Sequence, residues 1–156
     1  MSELYPVTHF ANKIIEKSFE DKRYITLRKL QMIVYLSASE YMKDRKNSLP
    51  IFSENFIVYD FGPGLNSIHV YFQNKGSIKI SKYMADYAGD KFIIDSKKNL
   101  GLEYAISKMW EKFKNVPDKA LFKIIRKEDS AWDKAFQKEN PIILWADMYE
   151  DNYYND

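Results

Sequence analysis

The chain of 156 residues contains no cysteine and only two histidines. Without cysteine it has no disulfides, no thiolate zinc sites and no cysteine nucleophiles, which fits a reducing compartment. Its first residues, MSELYP, lack the basic start and apolar stretch of a signal peptide. No apolar run approaches the length of a membrane span. These absences predict a cytoplasmic protein without a membrane partner.

Residue patterns typical of enzymes and metal sites are also missing. His9 and His69 belong to no His-x-x-x-His or His-x-Glu pattern, so a zinc site has no support. The sequence contains no Gly-x-Ser-x-Gly turn for a serine nucleophile. We therefore expect no metal, no cofactor and no catalytic residue.

What the chain does contain suits one folded domain. Hydrophobic residues make up 46% and aromatic residues 16%, which argues against a disordered chain. The length is typical of a single domain, so we assign residues 1–156 to one. Charged residues make up 29%, but the net charge is only +2, and bases alternate with acids. A dense basic stripe is absent, which disfavours nucleic acid as a partner.

Apolar residues recur at helical spacing along most of the chain. Pro6 stands where proline suits a helix start, and the apolar stripe of residues 7–19 follows it. The next helix begins after Thr26, whose hydroxyl can cap it, and is apolar around most of its circumference. Such a helix is usually surrounded by protein, so we place it at the centre. Further helices are predicted to begin near Leu100, Pro117, Asp129 or Ser130, and Pro141.

Two stretches favour extended backbone. Residues 55–59 are rich in β-branched and aromatic side chains and predict a short strand. Residues 76–94 suggest a small hairpin or edge sheet, with 83–90 as its connection and Gly76 as the end of the preceding helix. The expected fold is mainly α, a compact helical domain around a central buried helix with a small β-hairpin or short edge sheet. An acidic C-terminal tail is expected from about residue 139.

Gly62, Pro63 and Gly64 mark a sharp break after the predicted strand. No Gly-Lys-Ser/Thr follows, and proline removes an N–H group that a phosphate loop would use. Two glycines around a proline permit a tight reversal of the backbone instead. We assign these three residues, and the apolar anchor Trp132, structural roles.

Three segments together resemble a known family. Residues 27–35 read LRKLQMIVY, residues 56–63 read FIVYDFGP, and residues 130–135 read SAWDKA. A Lys-Leu-Gln helix, an aromatic segment ending in Gly-Pro and a late Trp-x-x-Ala, in this order, are similar to the Panacea domain. This is the SocA-like antitoxin family, also described as phage-associated proteins. The resemblance spans residues 7–136.

The resemblance implies a helical antitoxin of a two-gene toxin–antitoxin system. Members of the family neutralise toxins of unrelated folds by direct contact, and at least one type delivers its toxin to a cytosolic AAA+ protease. The implied partner is a protein, either a toxin encoded by a neighbouring gene or such a protease. Two alternatives stay open. One is a nucleic-acid-binding repressor, since many antitoxins autoregulate, and the other is a small enzyme with a cryptic site.

The predicted partner-binding residues come from the family motif and from the aromatic content. The motif suggests that Lys29 and Gln31 order the aromatic segment around Tyr59 and Asp60, through a pair between Lys29 and a carboxylate, for which Asp60 is the candidate. The alternative for Lys29 is a solvated side chain on a mixed-charge face. Tyrosine and other aromatic side chains dominate protein interfaces. Acidic Glu150 and Asp151 beside the last tyrosines would suit a basic toxin. The full set is Lys29, Gln31, Tyr35, Tyr59, Asp60, Tyr71, Phe72, Tyr149, Tyr153 and Tyr154.

A structural role for the Gly-Pro-Gly segment predicts that Gly62→Val lowers the free energy of unfolding by about 1–3 kcal/mol, provided that Gly62 has a positive φ. Thermal melting of the purified variant measures this. Unchanged melting together with lost partner binding would contradict the prediction and make the segment a direct contact.

Overall fold

The computed structural model describes residues 4–44, 49–73, 78–95 and 97–151. Over these residues the chain forms seven helices and three short strands, which confirms the mainly α fold with a small sheet. In chain order they are α1 (Val7–Glu20), α2 (Leu27–Asp44), β1 (Phe56–Tyr59), β2 (Gly62–Gly64), α3 (Asn66–Tyr71), α4 (Leu100–Phe113), α5 (Asp118–Ile125), α6 (Ala131–Gln137), β3 (Ile142–Ile143) and α7 (Trp145–Glu150).

Helix α2 lies at the centre of the fold, as its apolar circumference predicts. Residues 29–42 are all buried, and the helix packs against α1, α4, α5, α7 and β2. At its start the Thr26 hydroxyl accepts a hydrogen bond from the Lys29 N–H at 3.1 Å, which is the predicted cap. Because α2 is enclosed on all sides, its polar side chains must also find partners inside the protein.

The sheet is antiparallel, with the order β2-β1-β3. Ile57 on β1 lies opposite Gly64 on β2 and opposite Ile142 on β3. The strand predicted at residues 55–59 is therefore present, one residue shorter. Both of its partners are segments of two or three residues, too short to show an alternating pattern.

The hairpin or edge sheet predicted at residues 76–94 is wrong for the described part of that range, residues 78–94. Residues 78–95 lie outside the named strands, with one isolated bridge between Lys79 and Thr26. The sheet consists of β2, β1 and β3, so the described residues 78–95 are not part of it. Gly76 lies outside the described residues, and α3 ends at Tyr71.

A buried asparagine on α1 holds the 78–95 segment in place. The Asn12 side-chain nitrogen donates to the carbonyl oxygens of Met84 and Phe92, each at 2.9 Å. The Asn12 side-chain oxygen accepts from the Met84 N–H at 2.7 Å. One fully buried amide thus satisfies three backbone groups of a segment without regular structure.

Two separate features of the Gly-Pro-Gly segment favour glycine at its first and last positions. Gly62 has a φ of 132°, a conformation that other residues rarely adopt. A Cβ on Gly64 would lie 3.0 Å from the Gln31 amide nitrogen and from the Tyr59 ring. That amide is engaged, because the Gln31 side chain accepts from the Leu65 N–H at 3.0 Å and donates to the Leu65 carbonyl at 3.1 Å.

The acidic tail expected from residue 139 is instead an ordered part of the fold as far as residue 151. Ile143 pairs with β1, and Met148 is fully buried. The Trp145 ring packs against Phe56 with ring centroids 5.3 Å apart. Glu139 and Glu150 in this stretch are exposed, and composition alone does not distinguish such an amphipathic segment from a solvated tail.

The start of α6 settles an alternative that the sequence left open. Ser130 is the cap, since its hydroxyl accepts from the Asp133 N–H at 3.1 Å. Asp129 precedes it with a φ of 68°. Trp132 is a buried anchor, as expected, and its ring meets that of Phe122 edge-to-face at 5.1 Å.

We expect Gln31→Leu to lower the free energy of unfolding by roughly 2–4 kcal/mol, because the N–H and C=O of Leu65 would both lose their buried partner. Chemical denaturation measures the change. Gln73→Leu, at an exposed position, is the control and should differ from the parent by less than about 0.5 kcal/mol. Equal losses in the two variants would show that the Gln31 hydrogen bonds do not hold the β2–α3 connection.

Candidate functional site

A groove of about 1010 Å³ is lined by residues of α3, β1, β3 and the loop at 84–87, and we name it the α3 groove. Ile57 and Ile142 both line it, and they face each other across the β1–β3 pairing. Opposite residues in antiparallel strands point to the same side of a sheet, so these two side chains form one apolar surface. The sheet therefore supplies one side of the groove, and α3 and the loop supply others.

The α3 groove leaves large apolar side chains in contact with solvent. Val70 and Tyr71 on α3 are 55% and 45% exposed, and Tyr87 on the loop is fully exposed. Ile142 is 38% exposed although it belongs to a strand. Contiguous apolar surface of this kind marks binding sites on soluble proteins, whereas single exposed apolar residues do not.

Three side chains hold the loop at 84–87 that lines the α3 groove by hydrogen bonds to backbone groups in it or beside it. The Tyr71 hydroxyl accepts from the Ala85 N–H at 2.9 Å, and the Asn12 side chain hydrogen-bonds the backbone of Met84. The Asp86 carboxylate accepts from the N–H groups of Ala88 and Asp90, each at 2.9 Å. The groove is thus already shaped without a ligand, which lowers the ordering cost of binding.

The charges that line the α3 groove have one sign. Glu54 and Asp86 are lining residues, and no Lys, Arg or His is among the described residues that line it. The Glu54 carboxylate accepts from the N–H of Ser67, in the first turn of α3, at 3.2 Å. The remaining polar lining consists of hydroxyls and side-chain amides. A chain with a small positive net charge therefore has a negative groove.

Three of the predicted partner-binding residues face the protein interior, which corrects their interpretation as surface contacts. Gln31 and Tyr35 are almost completely buried on α2. The Lys29 ammonium donates to the carbonyl of Val116. Burial lowers the pKa of Lys29, and the nearby charge of Asp118 opposes that effect. The predicted pair with Asp60 is therefore wrong, because the start of α5 brings a different carboxylate to Lys29.

Tyr59 and Asp60 are not among the residues that line the α3 groove, although the Tyr59 hydroxyl donates to the side-chain oxygen of the lining residue Asn66 at 3.4 Å. The Tyr59 ring stacks on Phe61, with centroids 5.1 Å apart, and on His69 at 4.9 Å. Asp60 lines a smaller cavity of about 580 Å³ together with Arg28, whose guanidinium lies 5.5 Å from the centre of the Phe61 ring. Tyr59 therefore contacts α3 through His69 and Asn66 without lining the groove, whereas Tyr71 lines it.

The predicted residues at the end of α3 and near the end of the chain differ in burial, and two of them are not described. Phe72 is buried, and Tyr149 is half-buried against the core. Tyr153 and Tyr154 lie outside the described residues. Of the ten predicted residues, Tyr71 alone is among the described residues that line the α3 groove.

The sequence analysis did not identify the other residues that give the groove its negative charge and its exposed apolar surface. Glu54, Val70, Asp86 and Ile142 carry no motif, and each comes from a different part of the chain. The sequence did predict a connecting segment at residues 83–90, and this segment contains the loop at 84–87 that lines the groove. Nothing in its residue pattern indicated that the loop packs beside α3.

No family model matches the chain, and neither a curated protein nor a solved structure matches it. Among the described residues, no group of three or more His, Asp or Glu side chains is arranged to hold a metal ion. In the same part of the chain, no helix has the length and apolar character to cross a membrane.

Asp151 is buried, so it does not face a basic partner as the sequence suggested. Its two carboxylate oxygens accept from the Ala131 N–H at the start of α6, at 3.0 and 3.2 Å. Burial raises the pKa of Asp151 to about 7, and the Ala131 hydrogen bond and the charge of Lys43 only partly oppose this. Burial also lowers the pKa of Lys43 to about 8.

These shifts predict a pH-dependent stability. Asp151 binds its proton more tightly in the folded state than in the unfolded state, so its contribution to stability is largest below about pH 4 and is lost as the pH rises to about 7. Asp151→Asn keeps an acceptor for Ala131 but removes the titration. The variant should therefore gain stability relative to the parent between these pH values.

Denaturation curves of both proteins at several pH values measure the difference. Glu150→Gln, which removes the exposed carboxylate next in the chain, is the matched control and should show a smaller change with pH. A stability difference for Asp151→Asn that stays constant from pH 4 to pH 7 would contradict the assignment.

Proposed function

We propose that this protein binds another protein stoichiometrically, as an antitoxin or adaptor, and that the α3 groove is the contact surface. The observation that carries the proposal is the exposed apolar surface made by Val70, Tyr71, Tyr87 and Ile142. Tyrosine and apolar side chains in a concave surface are typical anchors of protein interfaces. The groove is at the upper limit of small-molecule pocket sizes, which favours a protein segment.

The geometry explains how binding would gain its free energy. Burying apolar surface contributes about 25 cal/mol per Å², and Tyr87 has its whole side chain to bury. The loop is already held by Asn12 and by the Tyr71 hydroxyl, so little backbone order has to be gained on binding. A partner seated here would have its own surface blocked without any chemical step.

The resemblance to the Panacea domain supports the antitoxin form of this proposal. It rests on residues 27–35, 56–63 and 130–135, and these segments form α2, the β1–β2 turn and the start of α6. In this form the partner is a toxin encoded by a neighbouring gene, and neutralisation is by steric blockade. Delivery of the bound toxin to an AAA+ protease is the adaptor form, and it needs the same contact.

Co-expression tests the proposal. The neighbouring gene product alone should arrest growth, and this chain should restore growth in proportion to the ratio of the two proteins, because blockade is stoichiometric. The two proteins should also copurify. Tyr87→Ala should weaken the complex at least about 10-fold, since it removes an anchor of the groove.

Tyr104→Ala is the matched control, because Tyr104 is an exposed tyrosine on α4 that does not line the groove. It should leave the complex and the rescue unchanged. Rescue at strongly substoichiometric levels without a complex would point to catalysis or to proteolytic delivery. Neither rescue nor a complex with any neighbouring product would refute the antitoxin.

A further inference from the structure

We propose that the α3 groove binds a short segment of the partner in which apolar side chains stand next to lysine or arginine. The inference rests on the proposed function, and it adds the chemistry of the recognised segment. It is drawn from the combination of an apolar surface with two carboxylates and no opposing cation among the described lining residues.

The apolar part of the segment is required by the surface that it covers. Ile57 and Ile142 lie opposite each other on the sheet, and Val70 and Tyr87 are exposed beside them. Apolar side chains of the partner would remove this surface from water. A wholly polar segment would leave it hydrated and gain nothing from it.

The hydrogen bonds of the Glu54 and Asp86 carboxylates indicate the basic part of the segment. Glu54 uses its Oε2 atom to accept from the Ser67 N–H, and Asp86 uses its Oδ1 atom to accept from Ala88 and Asp90. Within the described residues, the second oxygen of each carboxylate accepts no hydrogen bond. Each group is therefore oriented by the backbone while one oxygen stays available to an ammonium or guanidinium.

Charge complementarity also excludes other segments. An acidic segment would bring like charges against Glu54 and Asp86, with no lining cation to pair with it. Phosphate groups would meet the same repulsion. A neutral apolar segment would fit the sheet side but would leave the two carboxylates partly desolvated and unpaired, which costs free energy.

Neutral polar groups in the groove suit the backbone of a bound segment. The side-chain amides of Asn55 and Asn66 and the hydroxyls of Thr8 and Ser53 are lining groups. A peptide backbone carries one donor and one acceptor at most residues, and both need partners when water is displaced. These side chains offer donors and acceptors without adding a charge.

Selection from a random peptide library displayed on phage, against the immobilised full chain, tests the proposal. Enriched peptides should combine apolar residues with lysine or arginine. Synthetic versions of them should bind less tightly as salt rises, because exposed charge pairs are screened. The peptides should also compete with the partner protein identified by co-expression.

Glu54→Gln and Asp86→Asn are the informative variants, because each removes a charge and retains an oxygen for the backbone N–H groups. Each should weaken the enriched basic peptides about 3–10-fold, and the double variant should no longer select basic peptides. Asp95→Asn is the matched control, since Asp95 likewise accepts from a backbone N–H two residues later but does not line the groove. It should leave peptide binding unchanged.

Several outcomes would overturn the proposal. These are selection without enrichment, enriched peptides without an excess of basic residues, and an equal effect of Asp95→Asn.

Arginine amide serves as a small-molecule probe, and if it binds as tightly as the peptides, the groove takes a small amine instead. If Tyr87→Ala disrupts the partner complex while the two charge variants change neither complex nor selection, the inference fails and the proposed function stands. Basic peptides that bind as expected, with no partner complex found, would support the inference and count against the antitoxin.

Discussion

The enclosure of α2 is the constraint on which the rest of the structure depends. A helix buried from residue 29 to residue 42 cannot leave its polar side chains to water, so other elements must satisfy them. Gln31 binds both backbone groups of Leu65, and the Ser39 hydroxyl donates to the Met148 carbonyl at 3.0 Å. Gln31 and Ser39 thereby each fix the position of a different segment, Gln31 the β2–α3 connection and Ser39 helix α7.

The same principle extends to charged groups on α2. Lys29 donates to the Val116 carbonyl just before α5, and Glu40 pairs with Lys108 of α4 at 2.6 Å. The oriented polar contacts set the register of α2 against its neighbours, which apolar packing alone leaves less defined. Replacing such a group with an apolar residue would leave a buried partner unsatisfied, and that cost usually exceeds what the hydrogen bond itself contributes.

The α3 groove depends on this arrangement at two points. Gln31 determines where α3 begins, and Asn12 on α1 determines where the loop at 84–87 lies. Two buried side-chain amides, neither of which lines the groove, thus position two of its sides. The backbone of the groove is thus held by hydrogen bonds, while the side chain of Tyr87 stays fully exposed. In the proposed contact, the negative charge of the groove would add selectivity to an otherwise unspecific apolar contact.

The sequence alone determined the features that depend on neighbours along the chain. The helical spacing of apolar residues placed α1 and α2, and the mostly apolar circumference of α2 placed it at the centre. The cap at Thr26 and the need for glycine at position 62 followed from local backbone chemistry. A helix closes its hydrogen bonds within four residues, so its pattern is present in any short window of sequence. The strand at Phe56–Tyr59 was recognisable for a similar reason, from its β-branched and aromatic residues.

Only the tertiary structure decided which segments pair with that strand, which carboxylate lies beside Lys29, and which apolar residues remain exposed. The partners of Ile57 are Gly64 and Ile142, one close in the chain and the other far from it, and neither belongs to a segment long enough to carry a pattern. The α3 groove likewise joins Glu54, Val70, Asp86 and Ile142. Contacts between distant residues depend on how all the helices pack at once, and a sequence pattern records only what each segment does by itself.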